Sequence, residues 1–189
     1  IVDKSLEAFR EGLFSGTSGN MSCRVAPDEM LITPTSVRYD VLRAQDIVCM
    51  KLDGTVLEGG LQPSSEWRMH AAVYKAYGET NAVFHTHSPY ATAFAVVRKS
   101  IPAVLIESCI FLGGDIRCAA YAAPGTESVG TNAIPALRDR GGCTLANHGV
   151  LAVGKDLAQA YLRAEYIEDV AKVYTFSKVL GTPVELASL

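Results

Sequence analysis

The stretch Ala82-Val-Phe-His-Thr-His-Ser-Pro89 joins a strand-like segment to the start of a helix. Its first residues are apolar, which favours an interior strand, and proline is well suited to the first turn of a helix. Because successive side chains of a strand point to opposite faces, His85 and His87 would share one face. The stretch therefore predicts a strand followed by a helix and, on the strand, two imidazoles that could chelate a metal.

Short strands and helices alternate on both sides of this stretch. A hairpin is predicted over residues 21–33, and further strands are predicted over 47–52, 101–106, 116–119, 143–147 and 150–153. Helices are predicted over 1–14, from Ser64-Ser65, from Ser88-Pro89, over 126–140 and over 157–180. Because several strands are joined by hairpin-length turns, this order indicates an α/β sandwich with a mixed or largely antiparallel sheet.

Length and composition limit the classes of protein to consider. A chain of 189 residues suits one domain over residues 1–189. The net charge of −3 gives no reason to expect nucleic acid or an anionic membrane as partner, and no apolar run approaches the ~20 residues of a membrane-spanning helix. The five cysteines are scattered without a C-x-x-C pair, which suits a reducing cytoplasm. No targeting signal is visible, and the start at Ile1 leads us to expect further terminal residues.

A third histidine and a glutamate complete a candidate metal site. His148 lies in an apolar stretch, and catalytic zinc commonly takes three protein ligands. Glu66, in the first turn of a predicted helix, could be a fourth ligand or a proton acceptor. Taken singly, the strand histidines could be ordinary polar residues, His148 a satisfied interior histidine and Glu66 a capping carboxylate. Their combination favours a catalytic metal site, whereas His70 is interpreted as a packing or surface residue.

Three segments offer groups that bind anions, and we name them the anion segments: residues 16–20, 33–36 and 64–65. The first is Gly16-Thr-Ser-Gly-Asn20, where backbone N–H groups could converge with the Thr17 hydroxyl and the Asn20 amide. The second is Thr33-Pro-Thr-Ser36, and the third is Ser64-Ser65 at a helix start. Because no P-loop lysine is present, a phosphate monoester fits these segments better than a nucleoside triphosphate.

Five ordered motifs resemble the class II aldolase/adducin family, most closely its L-fuculose-1-phosphate aldolase branch. They are Gly12-Leu-Phe-Ser-Gly-Thr-Ser-Gly-Asn-Met-Ser-Cys-Arg24, Leu31-Ile-Thr-Pro-Thr35, Pro63-Ser-Ser-Glu-Trp-Arg68, His85-Thr-His87 and Asn147-His-Gly149. The resemblance implies a three-layer α/β/α domain and a homotetramer with active sites at subunit interfaces. It implies Zn²⁺ ligands at Glu66, His85, His87 and His148. It implies phosphate contacts at Gly19, Asn20, Thr35, Ser36, Ser64 and Ser65, although a glycine is usual at position 36, where serine would either crowd the phosphate or add a hydroxyl.

The resemblance also implies a reaction, the reversible cleavage of a ketose 1-phosphate to dihydroxyacetone phosphate and a short aldehyde. Zinc would stabilise the enediolate, and Glu66 would move the proton at C3. The branch carries a tyrosine shortly after Ile-Pro-Ala and another in a C-terminal tail, whereas here Ile101-Pro-Ala is followed by Val-Leu-Ile-Glu107 and the sequence stops at Leu189. These departures weaken the fuculose assignment. Glu107 is either an acid/base residue, as in some relatives, or a solvated charge at a strand end.

Other members of the family remain as alternatives. A 5-deoxyribulose or methylthioribulose 1-phosphate aldolase or dehydratase is compatible with Glu107, although such dehydratases usually lack the Ser-Ser-Glu carboxylate. A pentulose-phosphate 4-epimerase usually carries aspartate where this chain has Glu66. A non-catalytic, adducin-like binding domain is expected to lose the metal-binding histidines, and all three are present here.

Overall fold

The computed structural model describes residues 1–186 and contains one eight-stranded sheet. The spatial order of its strands is β4-β3-β2-β1-β5-β8-β7-β6. Their bounds are β1 Asn20–Ala26, β2 Glu29–Ile32, β3 Val48–Lys51, β4 Val56–Glu58, β5 Ala82–Thr86, β6 Cys118–Ala119, β7 Gly142–Leu145 and β8 Gly149–Gly154. Every pairing is antiparallel except that of β6 with β7, so the predicted mixed, largely antiparallel sheet is confirmed.

Six α-helices of the described residues cover the sheet. They are α1 Val2–Arg10, α2 Trp67–Ala76, α3 Pro89–Val96, α4 Ile106–Leu112, α5 Glu127–Leu137 and α6 Leu157–Leu180. The helix α6 has the predicted bounds. Its N-cap is Asp156, whose carboxylate accepts a hydrogen bond from the backbone N–H of Gln159. No helix within residues 1–186 is both long enough and apolar enough to cross a membrane.

Alternating side chains of the central strand reach two separate hydrophobic cores. Phe84 of β5 belongs to the core shared with α1, α3, α4 and α6, whereas Val83 belongs to the core shared with α2 and α5. The pattern repeats in β8, where Val150 packs in the first core and Leu151 in the second. Because side chains of a strand alternate between faces, these two cores lie on opposite sides of the sheet. The structure is therefore the predicted three-layer α/β/α sandwich.

The prediction of a strand over residues 101–106 is wrong. Ile101 makes only an isolated bridge to Ile116, and the chain then enters α4 at Ile106. Between them residues 102–105 form neither a strand nor a helix, and Pro102 has no backbone N–H to donate to a neighbouring strand. In this structure Ser108 and Leu112 are the buried residues of α4, and their spacing of four residues is helical. Of the neighbouring prediction over 116–119, only Cys118–Ala119 is a strand.

Candidate metal centre

Three elements bring together one carboxylate and three imidazoles, which we name the carboxylate–imidazole group. His85 lies in β5 and His87 follows its last residue, His148 lies in the turn between β7 and β8, and Glu66 is the N-cap of α2. One candidate ligand atom from each residue lies within 4.8 Å of the corresponding atoms of the other three. The four residues predicted as metal ligands are thus adjacent in space.

A glycine allows this close approach. A Cβ atom built on Gly149 would collide with the backbone oxygen of Thr86, and it would lie 3.1 Å from His87 Cδ2 and 3.2 Å from His85 Cε1. The turn also requires Asn147 in the left-handed region, with φ of 55°, which asparagine tolerates better than most residues. The Asn-His-Gly sequence is therefore explained by local geometry as well as by the imidazole that it carries.

The orientation of His85 is set by a backbone contact on its far side. Its Nδ1 donates to the Val150 carbonyl at 2.8 Å, which turns Nε2 towards the other members of the group. That Nε2 faces Glu66 Oε2 at 3.1 Å and His87 Nε2 at 3.0 Å. Metal-binding histidines are commonly held in this way, with the second ring nitrogen donating to a carbonyl or carboxylate.

Glu66 and His87 have shifted pKa values that favour the protonation states metal ligands need. Burial acts to raise the pKa of Glu66, but the adjacent His85 and His148 outweigh it and hold that pKa well below its usual range. Burial, together with the same two histidines, lowers the pKa of His87 to about 4. Near neutral pH the group therefore contains an ionised carboxylate and a neutral imidazole at His87, which are the forms that bind a metal ion.

Two polar atoms of the group lack a hydrogen-bond partner among the described residues. Glu66 Oε1 lies 3.0 Å from His148 Nε2 without the geometry of a hydrogen bond, and it is buried. His148 Nδ1 is also buried and unpartnered. Leaving a buried polar atom unpaired costs about 1–3 kcal/mol, so the unpaired Glu66 Oε1, which lies inside the group, calls for a ligand there. Three nitrogens and one carboxylate oxygen fit a transition-metal ion such as zinc.

The three anion segments lie beside one another at one end of the sheet. The second and third are paired through Thr35 N to Gln62 O and Ser64 N to Thr33 O, both at 3.0 Å. The second is joined to the end of the first, because Thr33 Oγ1 accepts from the backbone N–H of Met21 at 3.2 Å. The segments that sequence reasoning treated separately therefore converge next to Glu66.

The predicted phosphate residues differ in their availability. Thr17, Thr35, Ser36 and Ser65 are exposed, whereas Gly19, Asn20 and Ser64 are buried. Ser36 has a φ of 61°, so its backbone adopts the left-handed conformation that a glycine accepts without strain. The Asn20 amide is occupied by side-chain contacts, as its Nδ2 donates to Glu66 Oε2 at 2.8 Å. The phosphate contacts remain predictions.

Glu107 lies outside the carboxylate–imidazole group found within residues 1–186. It occupies the first turn of α4 and is half-buried, so the description of a charge at a strand end is wrong because there is no strand there. Its role as an acid or base remains a prediction.

His70 is the residue whose importance sequence reasoning missed. It is fully buried, and its ring nitrogens contact Asn20 Oδ1 and Ser22 Oγ. The interpretation as a surface residue is therefore wrong, and packing describes only part of its environment. The available signal was its position four residues after Glu66, which places both side chains on one face of α2.

Residues 1–175 match the family described as Class II Aldolase and Adducin N-terminal domain. The chain belongs to this family. It is 38% identical to the L-fuculose phosphate aldolase of Escherichia coli (strain K12) over 188 residues, which cover 100% of this chain and 86% of that protein. It is 36% identical to the 5-deoxy-D-ribulose 1-phosphate aldolase of Bacillus thuringiensis serovar kurstaki, over 97% of this chain and 86% of that protein.

A solved structure supports the same assignment. An L-fuculose 1-phosphate aldolase matches the structure with a TM-score of 0.93 at 36% identity, covering 98% of this chain and 88% of that chain. The resemblance based on the five motifs is confirmed, as are the class II aldolase fold and the prediction of a lyase of this family. In this class II aldolase, the carboxylate–imidazole group is the place where a metal ion could bind.

Proposed function

We propose that this class II aldolase is a zinc enzyme that reversibly cleaves a ketose 1-phosphate, similar to L-fuculose 1-phosphate, into dihydroxyacetone phosphate and a short aldehyde. The observation that carries the proposal is the position of the carboxylate–imidazole group beside the three anion segments. A ketose 1-phosphate has a phosphate monoester at one end and reacts beside its carbonyl group. One site must therefore bind an anion and stabilise developing negative charge a few atoms away.

The anion segments would hold the phosphate end of the substrate. Thr35, Ser36 and Ser65 present exposed hydroxyl groups, and Ser65 directly precedes Glu66, the N-cap of α2. The first backbone N–H groups of a helix lack partners within the helix, and the helix dipole favours an anion there. Hydroxyl and backbone donors together suit a phosphate monoester without requiring a lysine.

The carboxylate–imidazole group would hold zinc, which matches its three nitrogens and one oxygen in number and chemical type. Zinc, when bound, would supply a Lewis acid for the oxyanion that develops as the bond between C3 and C4 breaks. Glu66 would accept the C3 proton of dihydroxyacetone phosphate during condensation and return it to C3 after cleavage. In the metal-free protein, burial acts to raise the pKa of Glu66, but His85 and His148 outweigh it and lower that pKa, so the carboxylate is ionised.

The reaction is tested by incubating the zinc-loaded protein with dihydroxyacetone phosphate and a panel of aldehydes, including lactaldehyde and acetaldehyde. We expect condensation products that disappear after chelation and return when zinc is added. Glu66→Gln should lower turnover by about 10²- to 10⁴-fold, the usual contribution of a general base. Absence of a product with every aldehyde would contradict the proposal.

A second candidate is the cleavage of 5-deoxyribulose 1-phosphate, which yields dihydroxyacetone phosphate and acetaldehyde. It is favoured by the similarity to the Bacillus thuringiensis aldolase and by the lack of a tyrosine between Ile101-Pro-Ala and Glu107. In either reaction Glu107 would take the proton of the C4 hydroxyl during cleavage and return it to the aldehyde oxygen during condensation. A higher kcat/KM for acetaldehyde than for lactaldehyde would select this candidate, whereas loss of water without cleavage would indicate a dehydratase.

We also propose that the enzyme is a cytoplasmic homotetramer with active sites at subunit interfaces. Exposed large apolar side chains on α3, its C-cap and α4, two helices that both pack against α6, support association, because a protein interface would cover such side chains. These residues are Val96, Val97, Ile106, Ile110 and Phe111. Light scattering coupled to gel filtration measures the assembly, and a monomer at micromolar concentration would contradict it.

A further inference from the structure

A continuous line of hydrogen bonds runs from Glu66 into the protein interior beneath α2. Asn20 Nδ2 contacts Glu66 Oε2 at 2.8 Å, and Asn20 Oδ1 contacts His70 Nε2. His70 Nδ1 contacts Ser22 Oγ at 2.7 Å, and the same oxygen contacts Tyr74 Oη at 2.7 Å. The four residues beyond Glu66 are at most 4% exposed. We name Asn20, His70, Ser22 and Tyr74 the buried relay.

The direction of every hydrogen bond in the relay follows from the carboxylate. An ionised carboxylate only accepts, so the Asn20 amide must turn its NH₂ group towards Glu66 and its oxygen towards His70. That oxygen also only accepts, so His70 must carry its proton on Nε2. The unprotonated Nδ1 then accepts from the Ser22 hydroxyl. The Ser22 oxygen in turn accepts from the Tyr74 hydroxyl, so all four bonds donate towards Glu66.

The relay ends within the hydrophobic core. Tyr74 is 1% exposed and packs in the core formed by α2, α5 and one face of the sheet. Burial raises the pKa of its hydroxyl above the usual value, and burial lowers the pKa of His70 to about 3, with His85 adding to that decrease. Both groups are therefore neutral near pH 7. A neutral chain closed at its inner end has no route to exchange protons with solvent, which favours a structural role at Glu66 over proton transport.

The relay also ties two secondary-structure elements together. Asn20 and Ser22 lie on the same face of β1, two residues apart, and Glu66, His70 and Tyr74 follow one another at intervals of four residues at the start of α2 and along it. The side chains of the strand and of the helix alternate along the relay. The start of α2, where the carboxylate is placed, is thus fixed against the strand next to the one that carries His85.

We infer that His70 is a positioning residue, which donates from Nε2 to Asn20 Oδ1 and thereby fixes the Asn20 amide and the Glu66 carboxylate that it contacts. The inference deepens the proposed function and rests on it in taking Glu66 as a metal ligand. Without a donor at position 70, nothing holds the Asn20 oxygen away from Glu66. The amide can then rotate and place that oxygen against the carboxylate, and the repulsion between the two would displace Glu66. Loss of such an outer partner commonly lowers metal affinity about 10- to 100-fold.

The first measurement is the tautomer of His70 in the metal-free protein, read from the ¹⁵N chemical shifts of its ring. We expect the proton on Nε2 in the wild type. Ser22→Ala removes the donor to Nδ1 but leaves Asn20 Oδ1 as the acceptor at Nε2, so the proton should stay on Nε2. Ser5→Ala is the matched control, because Ser5 is equally buried and its hydroxyl has no hydrogen-bond partner among the described residues.

The second measurement is the affinity for Co²⁺ and Zn²⁺, determined by competition with a chelator. His70→Leu should lower the affinity about 10- to 100-fold, and His70→Gln, whose amide can donate to Asn20 Oδ1, should restore most of it. Ser22→Ala should weaken binding and Ser5→Ala should not. Ser22→Ala leaves His70 in place, so it tests the relay even if the leucine variant does not fold.

Two results would overturn the inference: a wild-type His70 protonated on Nδ1, or a folded His70→Leu protein with wild-type metal affinity. A wild-type protein that binds neither ion would overturn the inference together with the proposed zinc chemistry. If the expected tautomer and affinities are found but no aldehyde condenses with dihydroxyacetone phosphate, the inference stands and the proposed reaction is wrong. Neither the tautomer nor the metal affinity depends on turnover.

Discussion

Replacing Gly149 by alanine is expected to disrupt the carboxylate–imidazole group although no ligand is changed. The added Cβ would collide with the Thr86 carbonyl oxygen and would lie 3.1 Å from His87 Cδ2 and 3.2 Å from His85 Cε1. The first of these atoms belongs to the backbone of β5, which pairs with β8 at this point. Because a backbone atom cannot rotate away, the two strands must separate where they carry the histidines.

The magnitude follows from the kind of contact. Inserting a methyl group into a closely packed interior usually costs about 1–3 kcal/mol of folding free energy. A displacement of the imidazoles approaching 1 Å can cost about 10²-fold in turnover. We therefore expect a loss of stability in that range, weaker zinc binding, and a loss of activity larger than the loss of stability would produce.

The assay compares urea unfolding and zinc affinity of Gly149→Ala with those of Gly78→Ala. Gly78 has no heavy atom within 4 Å of the Cβ position and no positive φ, so its substitution tests the effect of alanine without the collision. The control should be as stable as the wild type or slightly more stable. Equal stability and equal zinc affinity for the two variants would refute the reasoning.

Three other substitutions test separate features. Ser36→Gly should raise stability by about 0.5–1 kcal/mol in urea unfolding, because glycine adopts the φ of 61° without strain; an unchanged midpoint would contradict this. Glu107→Gln should lower kcat by about 10²-fold or more if measured with the preferred aldehyde, and unchanged turnover would remove Glu107 from the mechanism. Glu168→Gln should lower the free energy of unfolding by about 1–2 kcal/mol, because the Glu168 carboxylate accepts from the backbone N–H groups of Tyr90 and Ala91 at 2.9 and 2.8 Å. The control is Asp169→Asn at the exposed neighbouring position, and an equal effect of the two substitutions would contradict this expectation.

Part of the carboxylate–imidazole group was predictable because two of its residues follow a local pattern. Two histidines separated by one residue on a strand must share a face, which the structure confirms for His85 and His87. No local pattern places His148 or Glu66 near the two strand histidines, and both were selected by residue type and by the order of the motifs. Their adjacency comes from the pairing of β5 with β8 and from the position of α2, neither of which a single sequence displays.

The features that sequence reasoning missed depend on long-range contacts. His70 is 50 residues from Asn20 and 48 from Ser22 along the chain, so its partners are invisible until the sheet forms. The helix α4 was missed because only its first residue, Ile106, lies in the apolar run that predicts a strand over residues 101–106.

The alternation of β5 between the two cores has a consequence for how the protein folds. A shift of one residue in the pairing of this strand would turn Phe84 towards the metal ligands and His85 into the aromatic core on the other face. Zinc would bind only the correctly paired sheet, and a ligand that binds one state alone stabilises that state. Metal binding would thus stabilise the correct strand register over the shifted one. Zinc present during refolding should therefore increase the yield of correctly folded protein.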